Sequence, residues 1–352
     1  MTATPPSRSP LLRRAVIKRL AALLVVLIVP FLGGYHAMIR MPGRSYRGPL
    51  LPLSGDQTAL RDALRRDVVA LAGDIGGRSA YGAPAGLAAA ADYLEAALSR
   101  AGFAVERQSF PAGRATCHNL AVEIRGATRP EEIVVVGAHY DSAGDMPAAN
   151  DNASGVAATL ALARAYAGAV FQRPPDRTLR FVLFANEEPP FFQTDLMGSR
   201  VYARRCRERG EVITAMLSLE TIGYYSDAPG SQKYPPPVGL MYPSTGDFIG
   251  FIGNVASRGL VREAVGSFRR HARFPSEGAA LPGFVTGVGW SDHWAFWQEG
   301  YPAAMVTDTA PFRYPYYHTR QDTPDKLDFD RMARVVDGLR GVVTDLASTR
   351  PD

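Results

Sequence analysis

The sequence predicts an α/β layer fold with a mainly parallel central sheet, preceded by one transmembrane helix at the N-terminus. Short apolar segments of β character alternate with longer segments of helical periodicity, and this alternation is typical of parallel strands joined by crossover helices. One apolar segment, residues 133–138, is nearly continuous in Val and Ile, as expected of a strand that is covered on both faces. With 352 residues, of which 46% are hydrophobic, the chain is long enough to bury a sizeable core.

The positive charge of the chain is confined to its beginning. Residues 1–52 contain eight Arg and Lys residues and no acid, so the net charge of +5 comes from this region and the remainder is net negative. A nucleic-acid partner is therefore not predicted for the main domain.

Residues 20–39 ("LAALLVVLIVPFLGGYHAMI") have about the length needed to cross a hydrocarbon core of roughly 30 Å. They follow a basic cluster, and basic residues remain on the cytoplasmic side. The predicted organisation is a basic cytoplasmic segment (1–19), a signal anchor (20–39), a linker rich in Pro, Gly and Arg (40–54) and a domain (55–352) outside the cytoplasm, periplasmic or extracellular. A cleaved signal peptide is the alternative, although no clear small-x-small cleavage site is present.

The first elements of the domain are predicted from periodicity and end signals. A helix is expected over residues 56–72, and a second begins at Pro84 and ends at Gly102, with apolar residues at helical spacing on one face. Strands follow at 119–124 and 133–138, and then an Ala-rich helix at 153–167.

The second half of the domain continues the alternation. Strands are predicted at 179–185 and 213–219 with a helix at 195–209 between them, followed by a late strand at 303–306 and a closing helix at 329–346. Residues 226–237 are rich in Gly and Pro and form a predicted surface loop that is long enough to wall a cleft. Residues 268–289 are predicted to be irregular. Cys117 and Cys206 are compatible with one disulfide or with two buried free thiols.

Acidic and histidine side chains follow the predicted strands. His139 and Asp141 come directly after one strand, Glu187 and Glu188 after the next, and Glu220 after a third. His318 comes after the late strand and an aromatic loop. Because ligands bind beyond the carboxyl ends of strands in open α/β sheets, these side chains are expected to share one site.

The ligand types suit zinc, which binds imidazole nitrogen and carboxylate oxygen. Two histidines and three carboxylates exceed the needs of one tetrahedral site that keeps a water, and they fit two metals that share a bridging carboxylate. The candidate ligands are His139, Asp151, Glu188, Glu220 and His318. Glu187 would then be free to act as general base, and Asp141 could fix the tautomer of His139.

Each motif alone has a simpler interpretation. "NDNASG" is also the pattern of a turn with a helix N-cap, "NEEPPF" that of a solvated acidic loop, and "HTRQDTPDKL" that of a surface turn. Their occurrence together, after buried strands, favours a metal site.

In these motifs the chain resembles the M28 family of zinc peptidases, the aminopeptidase-like group. The matching segments are His139-Tyr140-Asp141, Asp151 in "ANDNASG", Glu187-Glu188 in "FANEEPP", Glu220 in "SLETIGY" and His318 in "YYHT". The resemblance covers residues 61–346 and implies a three-layer α/β/α sandwich of the zinc-peptidase type.

The resemblance also implies roles for individual residues. His139 and Glu220 would hold one of two zinc ions, Glu188 and His318 would hold the other, and Asp151 would bridge them, with Glu187 as the base and acid. Tyr317 resembles a tyrosine that hydrogen-bonds the oxyanion in some members, and Tyr316 is a competing candidate. Asp292 and His293, in a recurring "SDH" segment, would lie near the substrate pocket or, alternatively, form a capped helix start with a packed histidine.

The expected activity is hydrolysis of a peptide bond in a peptide or peptide-like substrate, most simply by an aminopeptidase. Glu220 stands where many family aminopeptidases have Asp, which leaves a carboxypeptidase as an alternative. A glutaminyl cyclase, which shares the fold and generally uses one zinc, and a non-catalytic receptor on the same fold are the two rivals. Cobalt or manganese could substitute for zinc in vitro, and the sequence carries no signal for an oligomeric state.

Overall fold

The computed structural model describes residues 18–19, 26, 33–36, 38–113, 115–167 and 174–348. Residues from Met41 onward form one compact unit, distinct from the residues up to Arg40. Within the described parts of the chain, no helix has both the length and the apolar character that a membrane span requires. The predicted cytoplasmic segment and signal anchor, residues 1–39, lie largely outside the described residues.

The domain is built on one eight-stranded sheet with the spatial order β1-β2-β4-β3-β5-β8-β6-β7. The strands are β1 (Glu106–Ala112), β2 (Ala115–Ile124), β3 (Arg129–His139), β4 (Arg177–Phe184), β5 (Val212–Glu220), β6 (Ile249–Asn254), β7 (Ser276–Leu281) and β8 (Ala303–Thr307). The central strands β4, β3, β5 and β8 are parallel, as the buried Val and Ile runs predicted.

The sheet is mixed rather than parallel throughout. The β1–β2, β2–β4 and β6–β8 pairs are antiparallel, and β6 and β7 are parallel to each other. Neither β1 nor β6 was predicted from the sequence, and the prediction of an irregular segment over 268–289 is wrong where β7 and the end of a helix lie. These strands contain Pro, Gly and short polar segments, which are depleted in strands, so their local signal is weak.

Eight α-helices are described within the domain. They are α1 (Gly55–Val68), α2 (Pro84–Arg100), α3 (Gly155–Tyr166), α4 (Gly198–Glu208), α5 (Arg258–His271), α6 (His293–Gln298), α7 (Ala310–Arg313) and α8 (Phe329–Ala347). The predicted helices at 56–72, 84–102, 153–167, 195–209 and 329–346 are present with shifted ends, whereas α5 was not predicted.

Local signals account for several helix ends. Ser54 and Gln57 form a reciprocal capping box at the start of α1, so that two otherwise unpaired backbone amides are satisfied. Pro84 occupies the first turn of α2, where its missing amide is not needed. The Asp328 side chain accepts from the Arg331 amide and caps α8.

Helices cover both faces of the sheet, which gives the predicted three layers. The larger apolar cluster joins one sheet face to α1, α2, α3, α5 and α8. The smaller cluster joins the opposite face to α4 and α6. Cys117 belongs to the first cluster and Cys206 to the second, so the sheet separates the two thiols, and both are free and buried.

The segment predicted as a linker has no helix or strand between residues 41 and 54, yet part of it packs on the domain. Met41 is buried in the larger apolar cluster. Arg269 on α5 donates hydrogen bonds to the carbonyl oxygens of Pro42 and Gly43 at 3.0 and 3.3 Å. The start of the compact unit is therefore held by both apolar and polar contacts.

Candidate metal centre

The sheet brings the predicted metal ligands to one edge. His139 is the last residue of β3, Glu220 is the last residue of β5, and Glu188 lies four residues beyond the end of β4. These strands are parallel neighbours, so their carboxyl ends meet at the same edge. Asp151 lies in the turn before α3, and His318 follows α7.

The five side chains form two adjacent groups that share Asp151. In the first group, His139 Nε2 lies 3.4 Å from Asp151 Oδ1 and 3.2 Å from Glu220 Oε2. In the second, His318 Nε2 lies 3.0 Å from Asp151 Oδ2 and 3.3 Å from Glu188 Oε2. Each group places three candidate ligand atoms within 4.8 Å of one another. Asp151 directs one carboxylate oxygen to each group, as a bridging ligand requires.

Unpartnered atoms within the cluster fit a pair of bound cations. Both ring nitrogens of His139, the Nε2 of His318 and the Oε1 of Glu188 are buried and make no hydrogen bond. A buried polar atom without a partner costs on the order of 1–3 kcal/mol. Divalent ions in the two groups would supply partners for His139 Nε2, His318 Nε2 and Glu188, while His139 Nδ1 faces Asp141 Oδ1 at 3.4 Å, so the residues present fit a two-zinc centre.

The carboxylates dominate the electrostatics of the two histidines. Burial alone lowers the pKa of His139, but the facing charges of Glu220 and Glu187 raise it well above its ordinary value. Burial also lowers the pKa of His318, but its contacts with Asp151 and Glu188 outweigh burial and raise the pKa to about 10. The site thus attracts positive charge strongly.

Burial, together with mutual repulsion, raises the pKa of several carboxyl groups. Burial raises the pKa of Glu188 to about 7, with the Asp151 charge adding to the effect. Burial raises the pKa of Glu187 well above its ordinary value. The charges of Glu220 and Glu188 add to this shift, although His139 opposes it. Metal ions, as the largest local charges, would offset this repulsion and favour the ionised carboxylates.

Asp141 supports the two glutamates as well as His139. Its Oδ1 lies 3.4 Å from His139 Nδ1, consistent with the tautomer-fixing role predicted for it. The same carboxylate accepts hydrogen bonds from the backbone amides of Glu187 at 3.0 Å and Glu188 at 3.1 Å. Asp141 therefore couples the end of β3 to the segment after β4.

Asp322 holds the Asp151 turn and was not identified from the sequence. Its two carboxylate oxygens accept from the backbone amides of Asn150 at 2.8 Å and Asp151 at 3.1 Å. The Tyr314 hydroxyl donates a third hydrogen bond at 2.7 Å. Asp322 lies in the segment "HTRQDTPDKL", four residues after His318, and this closeness to a candidate ligand was the only sequence signal for its role at the site.

Arg78 holds the loop that leads from His139 towards Asp151. It is fully buried and donates to five backbone carbonyl oxygens, and burial lowers its pKa to about 10. Three of these acceptors, Tyr140, Pro147 and Ala148, lie in the loop itself. Nothing in the surrounding sequence marks this arginine as buried.

Backbone conformations with positive φ accompany the site. Asn186, Thr221 and His318 have φ values of 59°, 47° and 54°, and each is a candidate ligand or lies next to a candidate ligand or base. Such conformations are uncommon for residues other than glycine and concentrate at functional sites. The peptide bond between Asp151 and Asn152 is cis.

The "SDH" segment lies behind the centre rather than at its surface. Ser291 donates a 2.7 Å hydrogen bond to Glu220 Oε2. Asp292 and His293 are fully buried, and His293 Nε2 contacts the carbonyl oxygen of Val288 at 2.8 Å. Neither His293, the first residue of α6, nor Asp292 is among the residues lining the cleft. The packed histidine of the alternative interpretation is therefore observed, whereas the Asp292 side chain makes no capping hydrogen bond.

The two candidate tyrosines differ in position. Tyr317 lines the cleft and stacks on His318 with ring centroids 3.9 Å apart. Tyr316 instead packs edge-on against Tyr314, with the ammonium of Lys326 over its ring, and is absent from the cleft lining. Only Tyr317 is therefore positioned beside a substrate that occupies the cleft.

The cleft opens beside Glu220 and Tyr317 and has a volume of about 850 Å³ counted to its open mouth. Its floor is the face of β8, β6 and β7, and its walls are mostly loops, together with Pro311 and Phe312 of α7. One wall contains Gln232, Tyr234 and Val238, at the end of and just beyond the loop predicted at 226–237. Aromatic and aliphatic side chains make up most of the lining.

Comparison with known proteins identifies relatives for most of the domain. The model of peptidase family M28 matches residues 119–343. The chain is 38% identical to the Uncharacterized protein YfbL of Escherichia coli (strain K12) over 258 residues, which are 71% of this chain and 77% of that protein. It is 30% identical to Leucine aminopeptidase 1 of Trichophyton equinum, over 65% of this chain but only 58% of that protein's length.

Solved structures share the fold at low sequence identity. A zinc aminopeptidase from Bacillus subtilis, BSAP, superposes with a TM-score of 0.64 at 15% identity, over 86% of this chain and 97% of that chain. The glutaminyl cyclase of Fimbriiglobus ruber superposes with a TM-score of 0.58 at 21% identity, over 87% of this chain and 99% of that chain. Both likenesses concern the fold alone.

Proposed function

Because the chain belongs to peptidase family M28, we propose that it is a zinc-dependent aminopeptidase whose active site is the paired cluster at the sheet edge. The observation that carries this proposal is the placement of Asp151 between two imidazoles, with one carboxylate oxygen directed at each. In the proposed assignment, His139 and Glu220 hold one ion, Glu188 and His318 hold the other, and Asp151 bridges them.

The charge of the cleft favours the amino end of a peptide over the carboxyl end. Among the described residues that line the cleft, the charged side chains are Glu220 and Glu277, and none is Arg, Lys or His. A C-terminal carboxylate would find no cationic side chain in this lining, and Glu277, which is not assigned to a metal ion, would repel it and attract an ammonium instead. This distribution supports an aminopeptidase and argues against the carboxypeptidase alternative.

Glu187 is proposed as the general base. It is buried beside the cluster, with Oε2 3.8 Å from His139 Nε2, and Asp141 fixes its backbone amide. Zinc supplies the Lewis acidity that makes water nucleophilic near neutral pH and polarises the substrate carbonyl. Glu187 accepts the proton of the attacking water and delivers that proton to the nitrogen of the leaving amine as the carbon–nitrogen bond breaks. Tyr317, on the cleft side of His318, is proposed to hydrogen-bond the developing oxyanion.

A peptide-library digest with the purified full chain in detergent tests the proposal. Release of N-terminal residues, lost on chelation and restored by zinc, is the expected result. Glu187→Gln should lower kcat by at least about 100-fold, since general-base catalysis contributes 10²–10⁴-fold. Glu131→Gln, an exposed residue at the start of β3, is the matched control and should leave kcat unchanged. Unchanged turnover by Glu187→Gln would exclude the proposed base.

Glutaminyl cyclase activity is the second candidate, favoured by the fold shared with the Fimbriiglobus ruber enzyme. The two complete ligand groups favour two ions, and therefore the peptidase. About one zinc per chain, together with cyclisation of an N-terminal glutamine, would favour the cyclase. A non-catalytic receptor is disfavoured because all five candidate ligands are present.

We also propose that the domain is anchored on the extracytoplasmic side of a membrane by residues 20–39. The basic cluster and the long apolar run that follows it support this arrangement. The tagged chain should remain in the membrane fraction after alkaline carbonate extraction, and its domain should be degraded by protease added from outside the cytoplasm. Release of a shortened chain would instead show a cleaved signal peptide.

A further inference from the structure

The floor of the cleft contains a second carboxylate in line with the metal centre. In the sheet register, Glu220 on β5 pairs with Thr307 on β8, Thr307 with Gly250 on β6, and Gly250 with Glu277 on β7. The four residues therefore form one row that runs along the active-site edge. All four line the cleft.

The row leaves a channel between its two glutamates. Gly250 has no side chain, and the nearest atoms to a Cβ built there would be the Thr307 carbonyl oxygen at 3.3 Å and side-chain carbons of Ile252 and Thr309 at 3.7 Å. The next row, Met305, Ile252 and Ala279, continues the floor with apolar surface. An extended apolar chain could thus lie over the row from one end to the other.

Glu277 ends this channel beside two aromatic rings. Tyr234 and Tyr242 stack with centroids 5.8 Å apart, and the Tyr242 hydroxyl donates a 2.8 Å hydrogen bond to the carbonyl oxygen of Gly278. Burial raises the pKa of Tyr234, and the charge of Glu277 adds to this effect although Arg313 opposes it. A carboxylate next to stacked aromatic rings is an arrangement that attracts an organic cation.

The nearest protein cation does not neutralise Glu277 through a hydrogen bond. Arg269 Nη2 lies 3.8 Å from Glu277 Oε2, and this guanidinium donates hydrogen bonds to Ser276 and to the carbonyl oxygens of Pro42 and Gly43. Burial raises the pKa of Glu277, whereas the charges of Arg269 and the exposed Arg47 and a hydrogen bond with Ser45 oppose this shift and favour the ionised carboxylate. These opposing groups approach Glu277 from one side, while 22% of its side chain remains exposed.

We propose, on the basis of the aminopeptidase function above, that the cleft selects an N-terminal lysine or arginine and that Glu277 pairs with its cationic tip. The methylenes of that side chain lie over Thr307 and Gly250 between apolar walls. The leucine preference implied by the names of the fungal relatives would therefore not apply to this chain.

The dimensions of the channel agree with this substrate. Three strand spacings of about 4.8 Å separate the Cα atoms of Glu220 and Glu277 by about 14 Å. A lysine side chain extends about 6 Å from its Cα, by the ordinary bond lengths. Most of the rest of the 14 Å is spanned by the Glu277 side chain and by the bond from the reacting carbonyl carbon to the substrate Cα. A leucine side chain would end well short of Glu277.

Aminoacyl p-nitroanilides test the proposal, with the lysyl and norleucyl substrates matched in methylene length. The zinc-loaded full chain should cleave the lysyl and arginyl substrates with kcat/KM at least about tenfold above the norleucyl substrate, as expected for one desolvated charge pair. Glu277→Gln should remove this preference and leave norleucyl turnover within about threefold. Glu131→Gln is again the matched control.

Gly250→Val provides an independent test, because it obstructs the channel and leaves Glu277 in place. Turnover of the lysyl and norleucyl substrates should fall at least about tenfold, with alanyl turnover retained. Preference of the wild type for norleucyl or leucyl over lysyl substrates would overturn the specificity and leave the aminopeptidase function intact. An equal loss on all substrates in Glu277→Gln would show that Glu277 only supports the fold. Failure to release any N-terminal residue would overturn the proposed function itself.

Discussion

Replacing Arg78 by lysine tests whether one buried side chain holds together the loops around the metal centre. The guanidinium is fully buried and makes five hydrogen bonds of 2.7–3.1 Å to backbone carbonyl oxygens. The acceptors belong to Leu71, Gly76, Tyr140, Pro147 and Ala148. They join the end of the first helical segment to the loop between β3 and the Asp151 turn.

The size of the expected stability loss follows from the number of hydrogen-bond donors. Lysine offers three N–H donors in place of five, so at least two buried carbonyls lose their partner in Arg78→Lys. Each unsatisfied buried acceptor costs about 1–3 kcal/mol, which gives a loss of about 2–6 kcal/mol in the free energy of unfolding. A domain with a total stability of about 5–15 kcal/mol would be severely weakened.

Guanidinium chloride unfolding of the zinc-loaded protein measures this loss, and Arg66→Lys on the exposed side of α1 is the matched control. Zinc affinity, measured by competition with a chromophoric chelator, should fall in parallel, because the Arg78 acceptors include the loop that leads to Asp151. A loss of stability below about 1 kcal/mol would refute the reasoning, since it would mean that water or another donor satisfies the freed carbonyls.

Three further changes have defined expected outcomes. Asp322→Asn replaces one of the two oxygens that accept from the backbone amides of Asn150 and Asp151, so zinc affinity in a chelator competition should fall about 10–100-fold with the fold retained. Gly198→Ala would place its Cβ against the carbonyl oxygen of Ala185, a backbone atom that cannot rotate away, and should lower the unfolding free energy by about 1–3 kcal/mol in urea titration. Burial lowers the pKa of His293 to about 4 in the folded state. In the presence of chelator, the wild type should therefore lose about 2–3 kcal/mol more stability than His293→Leu as the pH falls from 7 to 4.5. The reason is that the unfolded chain binds a proton at His293 below about pH 6.5, whereas the folded chain does so only near pH 4. A stability difference that does not change with pH would contradict a lowered His293 pKa in the folded state.

The order of elements in the centre of the fold followed from local patterns. The Val and Ile run of β3 and the apolar segments of β4 and β5 predicted buried parallel strands, and Pro84 marked the first turn of α2. These signals are local because burial on both faces requires an uninterrupted apolar run, and a proline fits the first turn of a helix. Strands β1, β6 and β7 have no such run, and their pairing partners decide their structure.

The candidate ligands were predictable for a related reason. A histidine or carboxylate directly after a buried strand lies at the sheet edge, so strand prediction alone brought His139, Glu188 and Glu220 towards one place. The supporting residues lacked this signal. Asp322 and Arg78 act on backbone groups that are distant in sequence, and a hydrogen bond to a main-chain amide or carbonyl leaves no pattern in the residue that supplies it.

The sequence by itself thus determined that this chain forms a layered α/β domain and that histidines and carboxylates gather at one edge of its sheet, since both depend on the side-chain order along single strands. Only the tertiary structure decided that Asp151 faces both imidazoles, that His293 is packed behind the centre, and that Glu277 stands in line with Glu220. These relations depend on the register between strands and on hydrogen bonds across loops, which are fixed only when separate segments pack together.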